Sequence, residues 1–338
     1  MTAITATTVT GQTVNPRGYV INTLDMRRPA VHARQDLSWE LRQQGYTNAE
    51  IRDMVGFNDL SSVSTAIKRG KERALLNAGQ ISYRRFGVEI EFTGCTRDQV
   101  VAQLRELDPE FPVEVQGYNH RVTSVWKLIT DASVTNSPEG QGLEAVSPIL
   151  KGEEGFKQLA TLLKAIRQAG GNVDKSCGIH VHHDANDMSA AQVAGMVKLY
   201  TENQRVMDQL VSRSRRAGEN RYCEPLRPTE ARDAVEYLKD GASVSHFNRF
   251  RTINVTSYPK YGTLEIRQHQ GTLNARKVAS WVKVGQAMML AACKLADEGR
   301  ETPRYATVPE FMNFLTETGK LDREVADYMV ERAEDLNG

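Results

Sequence analysis

The sequence predicts an α+β protein: a largely antiparallel sheet with helices on one face, preceded by a small helical module. Three observations carry this expectation. Seven short strand-like runs, each bounded by Gly, Pro, Asn or Asp, are interspersed with amphipathic helical stretches. Several of these runs are neighbours of the hairpin kind, which argues against a regularly alternating parallel sheet. Ahead of them, residues 36–76 follow a purely helical period.

Taken in order, residues 1–32 mix Thr, Ala, Val, Asn, Pro and Gly without a sustained period and read as an extended or disordered lead. Residues 33–78 form the helical module. Trp39 and Leu41 precede a break at Gly45-Tyr46-Thr47, Ile51, Met54 and Val55 precede a second at Gly56-Phe57-Asn58, and Val63, Ala66 and Ile67 come after it. The spacing predicts three short helices, with Thr47 and either Asn58 or Ser61 as N-caps. A catalytic domain is expected over 84–300, with strands near 85–93, 113–117, 124–130, 142–147, 178–183, 251–256 and 263–268. Helices are expected over 97–107, 155–169, 189–214, 229–238 and 275–296, and residues 301–338 supply two more that pack on the domain.

Bulk properties exclude some function classes. A net charge of +1 over 338 residues gives no global field for nucleic acid or an anionic membrane, so any anion must be held locally. Cysteines at 95, 177, 223 and 293 form no C-x-x-C pair and are too few to staple the chain. Residues 1–14 carry neither a basic start nor an apolar run of secretory type, and no segment approaches the ~20 apolar residues of a membrane span. A cytoplasmic protein without a membrane partner is the expectation, and a homo-oligomer is compatible with it.

Chemistry gathers in four runs. On a strand, residues i and i+2 share a face about 6.5–7 Å apart. Glu89-Ile90-Glu91 thus sets two carboxylates side by side, with Phe86, Val88, Ile90 and Phe92 facing the core. Such charges repel unless a cation lies between them, although an E-x-E taken alone is more often a solvated face. In Gly178-Ile179-His180-Val181-His182-His183, His180 and His182 project together, and the run holds three of the chain's seven histidines. Thr263-Leu264-Glu265-Ile266-Arg267 puts a carboxylate for a cation beside a guanidinium for a phosphate oxygen, unless the two are a surface ion pair. Glu144, in Gly142-Leu143-Glu144-Ala145-Val146, adds a further strand-borne acid, and Asp131 is a candidate base. Oxygen ligands with one or two imidazoles favour Mg²⁺ or Mn²⁺ over zinc. With neither a Walker A sequence nor G-x-G-x-x-G, a nucleotide would have to be held through metal and arginine.

The ordered set FGVEIEF (86–92), W…TDASV (126–134), LEAVSP (143–148), SCGIHVH (176–182) and TLEIRQHQGTL (263–273) resembles the amidoligase family of carboxylate–amine ligases, which belongs with glutamine synthetase and the glutamate–cysteine ligases. The resemblance spans residues 84–294 and implies a glutamine synthetase-like sheet, ATP as cosubstrate, and small-molecule or peptide carboxylate and amine substrates. It further implies Glu89, Glu91, Glu144, His180 and Glu265 as metal ligands, with His182 toward the nucleotide phosphates. Arg267 would grip the transferring phosphoryl group and Asp131 would act as base. Arg249, Arg251 and Asn254 are expected to contact phosphate or substrate.

Two other readings remain at this level. The His-x-His strand alone suits a metal-dependent hydrolase, which would call on His246 or His269 for further ligands. The module resembles a helix-turn-helix, with residues 61–71 as recognition helix and Lys68, Arg69, Lys71 and Arg73 near phosphates. On that reading residues 47–73 bind nucleic acid and the chain is a regulator with a nucleotide-sensing ligase-like domain.

Overall fold

The computed structural model describes residues 6–7, 13–14, 23–77, 80–119, 121–134 and 142–338. Strands β1 (Ala6–Thr7) and β2 (Thr13–Val14) pair antiparallel at the front. Helix α1 (Thr23–Gln43) then begins inside the stretch expected to be extended. Helix α2 (Asn48–Val55) starts as the sequence predicts: the Thr47 side chain accepts from the Glu50 backbone while Glu50 accepts from Thr47 N–H, a capping box. At α3 (Leu60–Asn77) the cap is neither Asn58 nor Ser61. Asp59 accepts from the Ser62 N–H at 2.7 Å, where its charge also suits the positive helix end. Leu41, Ile51 and Val63 close a small core of their own, with Tyr46, Val55, Phe57 and Ile67 against it.

One carboxylate ties this helical module to the remainder of the chain. Glu72 of α3 is buried and accepts from both Arg85 and Lys151. Arg73 folds back onto α1, to Asp36 at 2.9 Å and to the His32 carbonyl at 3.1 Å. Arg69 lies 3.9 Å from Glu72, and Lys71 sits over the Trp39 ring at 5.7 Å. Arg73, 13% exposed, is thereby engaged within its own chain.

Beyond the module, strands β3 (Phe86–Phe92), β4 (Val113–Val115), β5 (Trp126–Asp131), β6 (Gly142–Val146), β7 (Gly178–Asp184), β8 (Ile253–Asn254) and β9 (Thr263–Gln270) form one sheet in the order β4-β5-β6-β3-β7-β9-β8. Every pairing is antiparallel except β4 with β5. Helices α4 (Arg97–Leu107), α5 (Gly152–Gln168), α6 (Ala190–Glu202), α7 (Gln204–Gln209), α8 (Pro228–Lys239), α9 (Ser257–Tyr261), α10 (Ala275–Asp297), α11 (Val308–Glu317) and α12 (Arg323–Asn337) complete the described chain. The single helix expected over 189–214 breaks at Asn203. That buried side chain donates to the Leu199 and Pro303 carbonyls and accepts from Tyr305 N–H, so a tertiary partner ends the helix. The strand expected over 251–256 shrinks to β8, because Asn254 turns the chain by accepting from Thr256 N–H.

Alternation along the strands divides the sheet into an apolar and a polar face. Val88, Ile90, Phe92, Ile179, Val181 and Ile266 belong to one buried cluster with the helices. Phe86 meets Phe156 of α5, His183 meets Gly285 of α10, and Tyr200 of α6 donates to Gln268 of β9 at 2.5 Å. The helices thus cover one face, and the opposite face is left to the acids.

Candidate active site

Register brings the acids together. Glu91 stands opposite Glu144, Glu89 opposite His180, and His182 opposite Glu265, while Asn254 also pairs with Glu265. Cross-strand partners share a face, so residues from β5, β6, β3, β7, β9 and β8 converge on one cavity of about 620 Å³. Asp131, Glu144, Glu89, Glu91, His180, His182, Glu265 and Arg267 all line it.

Among the described residues, three sets of three side chains each hold their ligand atoms within 4.8 Å of one another: Glu89, His182 and Glu265; Glu89, Glu144 and His180; and Glu91, Asp131 and Glu144. His180 Nδ1 is 2.9 Å from Glu89 Oε2, and its Nε2 is 3.6 Å from Glu91 Oε1. His182 Nε2 lies 3.4 Å from Glu89, while its Nδ1 is fixed by Thr263 Oγ1 at 3.1 Å. Glu265 accepts from Arg267 at 2.5 Å and from Asn254 at 2.6 Å, so each of its oxygens is oriented. Glu91 accepts from the Gly178 N–H at 2.5 Å. Asp131 accepts from the Ser133 N–H and hydroxyl at 2.6 Å each.

The electrostatics split these acids. Burial works against charge on Glu89, but hydrogen bonds from His180 and His182 outweigh it and hold the carboxyl well below the usual range. Glu265 is also lowered: burial is overcome first by Arg267 and then by His182. His182 is raised in turn, the attraction of Glu265 and Glu89 exceeding the cost of its burial. Glu144 goes the other way, well above the usual range, pushed by burial and then by Glu89, Asp131 and Glu91. Carboxylates gathered this closely, with one or two imidazoles among them, have the donor chemistry of a divalent cation site.

Not every expected residue reaches the cavity. Arg251 is absent from its lining, because Glu224 at 2.8 Å and Glu230 at 2.8 Å clamp the guanidinium outside it. Arg249 lines the cavity beside Phe250, and Asn254 is engaged in orienting Glu265. His269 lies on the helix face against Trp281, and His246 stacks between Tyr237 and Phe247. Neither is at hand as the further imidazole that a hydrolase site would recruit. Arg85, Arg215, Tyr222 and Phe250 also line the cavity and are not singled out by the sequence, and Arg69, expected from the sequence near nucleic-acid phosphates, lines it too. A cluster of arginines at 213, 215 and 216 was the available signal for Arg215, but periodicity does not say which of the three turns inward.

A family model described as "Putative amidoligase enzyme" matches residues 82–289, well over half of the chain. The chain belongs to this amidoligase family. Helices α1–α3, α11 and α12 lie outside the matched segment. No curated protein matches significantly. Among solved structures, the chain is similar to a bifunctional glutathione synthetase from Pasteurella multocida, at 13% identity and a TM-score of 0.42, over 79% of this chain and 48% of that one. It is also similar to the complex of the prokaryotic ubiquitin-like protein Pup with its ligase PafA, at 12% identity and a TM-score of 0.34, over 75% of this chain and 62% of that one. The chain therefore spans about half the length of the first and 62% of the second. At these TM-scores the likeness carries no functional weight.

Proposed function

We propose that this amidoligase is an ATP-dependent carboxylate–amine ligase that forms an amide or peptide bond through an acyl phosphate at a two-metal site. The observation that supports it most is the convergence of two acid–histidine sets, one all-carboxylate set and Arg267 on one cavity. Glu91 and Glu144 have the atoms for one Mg²⁺ or Mn²⁺, and Glu89, His180 and Glu265 those for a second. When bound, such ions screen the repulsion between two anionic substrates and hold their oxygens in line.

The chain's own residues do the rest. Arg267 is buried and raised further in pKa, since Glu265 and Glu89 outweigh the burial that opposes it, so it keeps its charge beside the transferring phosphoryl group. Its Nε also donates to the Tyr222 carbonyl at 3.3 Å, which sets the plane of the guanidinium. An arginine so fixed contributes roughly 10³-fold or more to phosphoryl transfer. Asp131, held by Ser133, accepts the proton of the attacking amine. His182 lies toward the nucleotide phosphates, and Arg249 offers a further cation at the same cavity.

The test is release of ADP with Mg²⁺ and a panel of acids and amines. Amine-dependent ADP release is expected from the full chain, and its loss in both Glu265→Ala and His180→Ala. Retained turnover in both variants would sink the proposal, and release of AMP would place the chain in another ligase class.

A further inference from the structure

Residues 212–216 come after α7 and send one of their three arginines into the cavity. Arg213 is exposed, and Arg216 donates to the Val211 and Leu336 carbonyls. Arg215 is 2% exposed and lines the cavity. One terminal nitrogen donates to the Ser176 carbonyl at 3.2 Å and lies 4.0 Å from Glu91 Oε2, while the other is 4.0 Å from Cys223 Sγ. Its Nε meets no hydrogen-bond partner.

A guanidinium carries five donors, and burying it with its Nε–H unpartnered is costly unless a ligand takes up the remaining donors. The backbone beside it leaves room for the group. A Cβ at Gly178 would come within 2.8 Å of the Arg215 terminal nitrogen, so the glycine lets the fork lie against β7 beside Glu91. Arg267 reaches the same segment through the Tyr222 carbonyl, next to Cys223. Two guanidinia therefore face the Glu91 end of the cavity, where one of them already belongs to the phosphoryl group.

Arg69 and Arg85 also line the cavity, and Tyr118, Val122 and Ile149, 57%, 62% and 60% exposed, add apolar surface to its lining. Apolar lining of that kind suits a nucleotide base, whereas Arg215 offers a guanidinium to an anion. We propose that Arg215 is a substrate-binding residue that holds the carboxylate of the acid to be activated, its fork taking the two oxygens; this rests on the ligase reading above. The geometry of a fork on a planar carboxylate is the reason the residue is an arginine.

The experiment uses the full chain, with ADP release read against acid concentration at saturating Mg·ATP and amine. Arg215→Lys keeps a charge but loses the fork, and Arg215→Met loses both. The KM for the acid rises at least about tenfold in the first and further in the second, while the KM for ATP stays within about twofold. Gly178→Ala pushes on the guanidinium without altering its charge and also raises the acid KM, which keeps the inference testable should Arg215→Met fail to fold. An unchanged acid KM in Arg215→Lys and Gly178→Ala overturns the assignment. A rise confined to the KM for ATP overturns it in favour of a nucleotide phosphate. A wild-type chain that releases no ADP with any acid instead overturns the ligase reading on which it rests.

Discussion

Glu89 and Glu144 are both strand carboxylates on one sheet face, yet their neighbours push them apart. Burial opposes charge on Glu89, but hydrogen bonds from two imidazoles hold it well below the usual carboxylate range; burial, and then Glu89, Asp131 and Glu91, push Glu144 well above it. A carboxyl raised in this way binds a cation only as the carboxylate, so metal affinity should increase with pH through its titration. Titrating Mn²⁺ into the full chain in buffers of different ionisation enthalpy should show about one proton released per site that includes Glu144. Glu144→Gln should abolish that release and weaken binding. Mn²⁺ binding without any proton release in the wild type would remove Glu144 from the ligand set.

At the scale of elements, two contacts decide how the parts fit. Glu72 joins α3 to Arg85, next to β3, and to Lys151, at the start of α5. Glu72→Gln leaves both cations without their carboxylate and should weaken docking of the module by on the order of 3 kcal/mol. The measurement is hydrogen exchange: α3 amides should lose protection while β3 and β7 keep theirs, and unchanged protection would show the contact to be dispensable. Gly285 of α10 is the second such point. A Cβ there would lie 2.1 Å from His183 Nε2, and both groups are buried, so neither can step aside. Gly285→Ala should cost about 1–3 kcal/mol by overpacking, read as a lower urea midpoint. Adding His183→Ala should recover part of the loss, and a neutral Gly285→Ala would contradict this packing.

Over the whole molecule, the helix face holds two buried histidines. Burial presses His183 and His269 down to about 3, each also near cationic groups, whereas an unfolded chain titrates them near ~6.5. Between those values the unfolded chain takes up protons that the folded chain refuses. The stability they contribute is therefore fully present above about pH 6.5 and is lost as pH falls toward 3. The urea midpoint should drop between about pH 7.5 and pH 5, and drop less in a His183→Gln, His269→Gln double variant. Equal midpoints at the two pH values in the wild type would refute this.

The range of the forces involved sets how much of the fold and the site is legible in the sequence. Period-two alternation is local, so Glu89 and Glu91 could be placed on one face, and His180 with His182 on another strand, from spacing alone. The capping box at Thr47 and the Glu265–Arg267 pair are likewise short-range, and the family likeness rests on these runs. Strand order and register are not local. Only the paired sheet decides that Glu91 faces Glu144, that His182 faces Glu265, and that the three sets share one cavity. The same holds where expectation and structure part. Arg251 is drawn away by Glu224 and Glu230, Asn203 ends a helix because residues 303–305 supply its partners, and Arg73 finds Asp36 of α1. In each case a polar group takes the nearest counter-group in space, and a sequence records only the nearest along the chain.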